Sequence, residues 1–340
     1  MKKLISIIFL CVIISGAFIW WMQSTKKAQQ TPAKVTPVSF VLDWTPNTDH
    51  TGLYVALAKG WYKQQGIDLK ILPYSSAVSP SVAILSNKAD IGIGSINDIV
   101  GNAAKGNHVV AIGEVLAHNT SGFIVLADSG IHSPKDLDGK TYGGYGSPFE
   151  DAVVSEVIKK DGGNGTFKDV TLSVDAMQAL ESKRIDFVWG LDGWEVVQAK
   201  HAGYNVKFFP ITKYGIPDSP NLYFITTPEK IRKNPGLLKR FMTATGKGYT
   251  YASQHPKESA QIMIKTAPKG MFPDANLLFA SQAVVSKEYM DSQHRWAIQD
   301  KQRWHAYPQF MLDSGGILDA AGKPVRSLDF DKLYTNEFLQ

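Results

Sequence analysis

From Val38 onward, short apolar runs alternate with amphipathic stretches, and this alternation constrains the fold more than any other feature of the chain. Val38 to Leu42 reads as a strand, and Leu53, Val55, Leu57 and Trp61 mark a helix after it. Asp68 to Leu72 is a second strand, Val82 to Leu85 a helix, Asp90 to Gly94 a short buried strand opening into Ser95-Ile96-Asn97-Asp98, and Val109 to Leu116 a further strand. Elements in this order predict parallel sheets flanked by helices, with ligands at the carboxyl ends of the strands. A second unit of the same grammar starts near Ile131, after the strand Phe123 to Ala127. It holds the strands Lys140 to Gly144, Asp186 to Trp189 and Val206 to Phe209, and helices from Phe149 to Lys160 and from Trp194 to His201. The chain leaves this unit between Tyr214 and Pro220, adds the strand Leu222 to Ile225, and finishes in helical patterns. The expectation is an α/β protein of two lobes, 38–130 with 217–340 and 131–216, each a mainly parallel sheet. Crossings near Asp128 to Ser133 and near Thr212 to Pro220 would leave a cleft between the lobes.

The first thirty residues stand apart from this body. Lys2 and Lys3 precede an apolar run from Leu4 to Met22 that closes with Trp20-Trp21 and is followed by Lys26 and Lys27. At ~1.5 Å per residue the run nearly spans a hydrocarbon core of ~30 Å, and the Trp pair suits the headgroup layer. Residues 1–30 are therefore expected to be a signal or anchor segment. Either residues 4–22 are retained as one hydrophobic helix on the cytoplasmic membrane, or the segment is cut near Ser15-Gly16-Ala17. Residues 31–37 read as a tether. Cys11, the only cysteine, follows bulky Phe9 and Leu10 in place of a lipobox, and reads as a buried membrane cysteine.

The body is thus expected outside the cytoplasm, where it does without disulfides because a domain of this size buries enough core. Four lysines and no acid fall in residues 1–30, which leaves 32 basic against 31 acidic groups beyond them. A near-neutral body with no basic stripe argues against nucleic acid as a partner.

Three segments should face the cleft. The first, Asp43-Trp44-Thr45-Pro46-Asn47-Thr48-Asp49-His50-Thr51-Gly52-Leu53-Tyr54, packs aromatic, amide, imidazole and carboxylate groups into a strand-to-helix turn. Trp44 and Tyr54 can face a flat ring there, with Asn47, Asp49 and His50 on its polar edge. Capping by Thr48 or Asp49 over a core tryptophan accounts for any one of these residues but not for the cluster. The second is Gly143 to Glu150, with Tyr145, Ser147 and Glu150 after glycines that let the backbone approach a ligand, although a helix cap alone would explain Ser147. The third is Trp189-Gly190-Leu191-Asp192-Gly193-Trp194-Glu195, where Glu195 either complements the helix dipole or meets a ligand beside the two tryptophans. Ser95 lies at the end of a central strand. The basic and aromatic cluster His294, Arg295, Trp296, Arg303, Trp304 and His305 reads as a packed helical face.

Catalytic patterns are missing: there is no zinc-binding His-Glu-x-x-His, no Gly-x-Ser-x-Gly elbow, and no phosphate-binding glycine fingerprint. No catalytic residue, metal site or cofactor is expected from the motifs.

Taken together, Trp44-Thr45-Pro46-Asn47, His50-Thr51-Gly52-Leu53-Tyr54, Ala58-Lys59-Gly60-Trp61-Tyr62, Gly66-Ile67-Asp68-Leu69, Asp90-Ile91-Gly92-Ile93-Gly94, Gly144 to Glu150 and Gly193-Trp194-Glu195 resemble the solute-binding proteins of ABC importers. The family in question takes in sulfonate binders and also contains fungal thiamine pyrimidine synthases. The likeness covers nearly the whole body, and its Trp-Thr-Pro-Asn and Trp-Glu elements are similar to those of binders of thiamine-pyrimidine precursors such as formylaminopyrimidine. It implies a type II periplasmic-binding-protein fold, an ABC permease as partner, and an aminopyrimidine held by Trp44, Asn47, His50, Tyr54, Ser95, Tyr145, Ser147, Glu150, Trp194 and Glu195. Two alternatives stay open. One is a pyrimidine synthase acting on pyridoxal phosphate and a histidine with iron, although the stretch Gly94 to Asp98 lacks the lysine and histidine of that branch. The other is a binder of riboflavin, a sulfonate or nitrate.

Overall fold

The computed structural model describes residues 35–144, 146, 148–172 and 176–339. The apolar run 4–22 and the helix expected of it lie outside these residues, as do Tyr145 and Ser147. One compact unit spans Pro37–Gln340. Among the described residues no helix is long and apolar enough to cross a membrane.

Two five-stranded sheets organise that unit. The first runs β2 (Ile67–Ile71), β1 (Thr36–Val41), β3 (Ile91–Ser95), β10 (Leu222–Thr226), β4 (Val110–Glu114). The second runs β7 (Lys168–Thr171), β6 (Thr141–Gly144), β8 (Phe187–Leu191), β5 (Ser121–Leu126), β9 (Val206–Pro210). Helices flank both, and the architecture is a periplasmic-binding-protein fold with α/β sheets.

Both sheets are mixed, which corrects the expectation of mainly parallel ones. β1 and β3 pair in parallel, with Phe40 opposite Ile91, but β10 is antiparallel to both β3 and β4. In the second sheet β6 is parallel to β7 and β8, whereas β5 is antiparallel to β8 and β9. The cause is connectivity. Parallel neighbours need a long crossover, usually helical, whereas β5 and β10 each arrive directly from the other sheet and are free to run antiparallel.

A second correction concerns where the chain first crosses. The strand expected at Phe123 to Ala127, at the end of the first lobe, is β5, a member of the second sheet with all six residues buried. The crossing therefore occupies residues 115–120, ahead of the expected Asp128 to Ser133. An unbroken apolar run states that a strand is buried without stating which sheet receives it. The return passes from β9 through a 3-10 turn at Ile211–Tyr214 to β10.

Arg303 ties the two crossings. Its guanidinium donates to both Glu114 carboxylate oxygens, at 3.0 and 3.2 Å, and to the Ala117 carbonyl. Asp218, on the return crossing, accepts the Asn119 N–H at 2.9 Å and lies 2.8 Å from the His118 ring. The basic and aromatic C-terminal cluster is thus structural: Trp304 is fully buried and Arg303 serves the crossings.

The first sheet buries one face under the helices Thr51–Ala58 and Pro235–Gln254. These helices cross at Gly52 and Gly248, where a Cβ on Gly248 would sit 1.9 Å from the Gly52 carbonyl oxygen. Backbone meets backbone there, so no rotamer can relieve an added methyl. Gly248→Ala is expected to destabilise the protein by at least ~1–3 kcal/mol, the usual cost of overpacking a core. Urea unfolding checks this, and a midpoint equal to wild type would show that the helices can separate at no cost.

Candidate functional site

Strand ends from both sheets converge on a cavity of about 530 Å³. Its walls come from the turn after β1 (Asp43, Trp44, Asn47, Asp49), the end of β3 (Gly94 to Asp98), both crossings (Asn119 and Ser121, then Ser219 to Leu222), the start of the helix Pro148–Lys160 (Phe149, Glu150), and the end of β8 (Trp189 to Leu191, Trp194, Glu195). Tyr307 reaches it from the helix Lys301–Asp313. Carboxyl ends of strands in such sheets are where ligands bind.

Short polar side chains shape the turn after β1. The Asn47 side chain accepts the Asp49 N–H at 2.9 Å, and the Asn47 N–H donates to Nδ1 of His50 at 3.2 Å, closing a capping box around the 3-10 turn Thr48–His50. With Nδ1 acting as acceptor, the proton belongs on Nε2, which donates to Asp43 at 2.8 Å. Two tyrosines fix the backbone from below: Tyr249 donates to the Asp49 carbonyl and Tyr289 to the Thr48 carbonyl, each at 2.6 Å. The Thr48 hydroxyl meets Ser281 at 2.7 Å, and Ser281 donates onward to the Gly193 carbonyl in the opposite wall.

That opposite wall is a π-helical turn, Asp192–Val196, following β8. Such turns insert an extra residue and recur at functional sites. Glu195 folds back so that one carboxylate oxygen accepts the Leu191 N–H at 2.8 Å. Gly193 has no room for a side chain, since a Cβ would lie 2.3 Å from Val285. Trp189 and Phe149 meet edge to face at 6.2 Å, and Trp44, 50% exposed at the mouth, leans on Tyr74 at 5.2 Å. Ser95 accepts the Asp98 N–H at 3.1 Å as a helix cap, and Asp98 is held in turn by Ser81 and Asn102. Tyr142 donates to Glu150 at 3.1 Å.

Carboxyl groups dominate the cavity. Asp43, Asp49, Asp98, Glu150 and Glu195 line it, and among the described residues no lysine, arginine or histidine does. Burial, with Asp43 and Glu195 adding to it against the opposing pull of His50, pushes Asp49 up to about 7. Burial likewise raises Asp98. The side-chain oxygens of Asn97 and Asn221 are buried without a hydrogen-bond partner among the described residues, as acceptors awaiting a donor.

Of the residues expected from sequence, Trp44, Asn47, Ser95, Glu150, Trp194 and Glu195 line the cavity. His50 and Tyr54 do not. His50 is fully buried beneath the turn, where it orients Asp43 and the backbone, and Tyr54 packs with Met263, Ala267 and Leu278. A helix turns by 100° per residue, so the position three or four beyond a ligand-facing turn can point into the core as easily as out of it. Sequence reasoning did not single out Asn119, Phe149, Asn221 or Tyr307. Phe149 had a signal, lying in the glycine-rich segment, but single residues on a crossing or on a distant helix have none.

Comparison with known proteins adds to this geometry. The model of a family described as NMT1/THI5 like matches residues 47–259. A formylaminopyrimidine-binding protein of Halalkalibacterium halodurans is 27% identical over 240 residues, 69% of this chain and 72% of its own. A 4-amino-5-hydroxymethyl-2-methylpyrimidine phosphate synthase of Legionella pneumophila is 28% identical over 236 residues, 68% of this chain and 74% of its own. Among solved structures, the periplasmic aliphatic sulphonate binding protein of Escherichia coli superposes with a TM-score of 0.65 at 12% identity, over 87% of this chain and 91% of that one. At that identity the likeness speaks for the fold.

Asp49 also makes stability depend on pH. Between the ordinary carboxylate range and about 7 the folded protein holds a proton on Asp49 that the unfolded chain has released, so this group's contribution is lost as pH rises through that window. The slope for one group is ~1.4 kcal/mol per pH unit. Since Glu114, raised to about 8, and Asp98 add slopes of their own, the quantity to measure is a difference. Asp49→Asn is expected to gain stability relative to wild type as pH rises from about 5 to about 7.5. Urea unfolding of both ligand-free proteins checks this, and parallel profiles would show that Asp49 ionises freely in the folded state.

Proposed function

We propose that this chain, which belongs to the NMT1/THI5-like family, is an extracytoplasmic solute-binding protein of an ABC importer whose cargo is an aminopyrimidine precursor of thiamine, of the formylaminopyrimidine kind. In this reading residues 4–22 hold it at the outer face of the cytoplasmic membrane, and an ABC permease receives the cargo.

One observation carries the cargo assignment: carboxyl and amide groups edge an aromatic-walled cavity in which, among the described residues, no basic side chain takes part. An aminopyrimidine is flat and presents an exocyclic amine, which donates, beside ring nitrogens, which accept. Trp44, Trp189, Trp194 and Phe149 offer it faces and edges, each well-placed pair adding ~0.5–1.5 kcal/mol beyond area burial. The Glu195 carboxylate accepts from the exocyclic amine, and Asn47, Ser95 and Glu150 supply the periphery. Tyr145 and Ser147 belong to the same reading through their place in the sequence.

The same chemistry weighs against the alternatives. Sulfonate, nitrate and phosphate need arginine, lysine or an array of N–H donors to replace their water, whereas this cavity would meet them with five carboxyl groups. For the synthase reading, the residues present do not fit pyridoxal phosphate. No basic side chain among the described lining residues would hold its phosphate, and Gly94-Ser95-Ile96-Asn97-Asp98 has no lysine to engage its aldehyde. The relatives named as synthases keep that reading as the runner-up.

Glu195→Gln separates a ligand contact from a helix-dipole role. If Glu195 holds the amine, affinity for formylaminopyrimidine falls roughly ten- to a hundred-fold, the worth of a charge-assisted hydrogen bond at ~1.5–3 kcal/mol. If it only complements the helix dipole, affinity is unchanged and stability drops by ~0.3–1 kcal/mol. Calorimetric titration beside a thermal-shift screen that includes riboflavin, taurine and nitrate decides the matter. A larger shift with taurine or nitrate than with the pyrimidine would overturn the assignment.

A further inference from the structure

Four of the five cavity carboxyls already hold a hydrogen-bond donor. Asp43 has His50, Asp98 has Ser81 and Asn102, Glu150 has Tyr142, and Glu195 has the Leu191 N–H. Asp49 is the exception. Its backbone N–H is taken by Asn47 and its carbonyl by Tyr249, so the carboxyl is the polar group it presents to the cavity. That carboxyl makes no hydrogen bond or ion pair among the described residues, in a residue only 5% exposed overall. Polar groups on residues so nearly buried are normally hydrogen-bonded.

We propose that Asp49 reads the amidine edge of the cargo, the ring nitrogen together with the exocyclic amine beside it, and shares a single proton with that nitrogen. The inference rests on the aminopyrimidine reading above and assigns its specificity to a residue that reading does not use. A protonated carboxyl presents one donor and one acceptor on neighbouring atoms. The amidine edge presents the complement, an acceptor nitrogen next to an N–H donor, so two hydrogen bonds form and one proton lies between Asp49 and the ring. The second hydrogen of the same amine is left for Glu195.

The groups around Asp49 favour that proton. Asp43 comes from its own turn and Glu195 from the π-helical turn, and both disfavour a further negative charge. Tyr249 and Tyr289 approach from the helical layer, both far above their ordinary range because they are buried, and so neutral. His50 alone opposes, and its Nε2 proton is committed to Asp43. Below about pH 7 Asp49 brings the proton into the complex. Above it, one proton must be taken from solvent, because a bare carboxylate facing a bare ring nitrogen sets two acceptors against each other.

The test is calorimetric titration of formylaminopyrimidine from about pH 5.5 to about pH 8.5, in buffers of different ionisation enthalpy. Wild type should lose about tenfold in affinity per pH unit above the Asp49 range, with uptake of about one proton. Asp49→Asn keeps a donor beside an acceptor, so it should bind within a few-fold of the low-pH wild type with a flat profile. Asp49→Leu should lose at least about tenfold, the worth of one such hydrogen bond. A purely structural Asp49 would leave the proton count of binding unchanged in Asp49→Asn, and that result, or undiminished binding by Asp49→Leu, overturns the proposal. Wild type that binds no aminopyrimidine at any pH refutes the cargo assignment itself, a failure distinct from that of Asp49.

Discussion

One buried hydroxyl, that of Ser281, joins the two walls between which the cavity lies. It accepts from Thr48 in the turn after β1 and donates to the Gly193 carbonyl in the turn after β8. Each bond nets only ~1 kcal/mol, but leaving either partner buried and unpaired costs ~1–3 kcal/mol. The helix Ala275–Val285 that carries Ser281 also supplies Gln282, which accepts from Thr51 at 2.6 Å and donates to Tyr289 at 3.0 Å. Tyr289 in turn holds the Thr48 carbonyl. The turns that recognise a ligand are thus parts of one polar network in which every member depends on its neighbours.

That network explains how a segment so rich in polar residues comes to be buried. Asn47, Thr48, Asp49, His50 and Thr51 are all nearly inaccessible, and all are short or ringed groups able to bond locally to backbone. The network extends down to the helix crossing at Gly52 and Gly248, because only backbone contact there brings the Tyr249 hydroxyl within reach of the Asp49 carbonyl. A packing feature of the first sheet thereby sets the position of a polar group in the site.

Alternation of apolar runs made the two α/β units legible in the sequence, and aromatic and polar residues crowded at strand ends made three walls of the cavity legible. Trp44, Glu150, Trp194 and Glu195 were found because each follows a strand end closely. The membership of β5 was hidden, since Ser121–Leu126 is equally apolar whichever sheet it joins. His50 and Tyr54 show a different limit: composition marks a turn as functional, but burial sorts its residues into those that meet a ligand and those that support them. Asn221 and Tyr307 come close to the site only through the crossings and the last long helix, a long-range placement that no local pattern encodes.

The distribution of carboxyls between the two sheets has an electrostatic consequence. Asp43, Asp49 and Asp98 belong to the first sheet's turns, Glu150 and Glu195 to the second's. Where they are ionised, carboxylates set across a cavity repel one another through a medium less polar than water, and Asp49, protonated below about pH 7, joins that repulsion only above it. In the aminopyrimidine reading, an exocyclic amine placed between ionised carboxyls offsets that repulsion, so part of its affinity is repulsion relieved and only part is contact made. Dissolved salt does the same from outside, within a Debye length of ~8 Å at physiological ionic strength. The balance of charge around the cavity therefore shifts with the ionic medium as well as with the cargo.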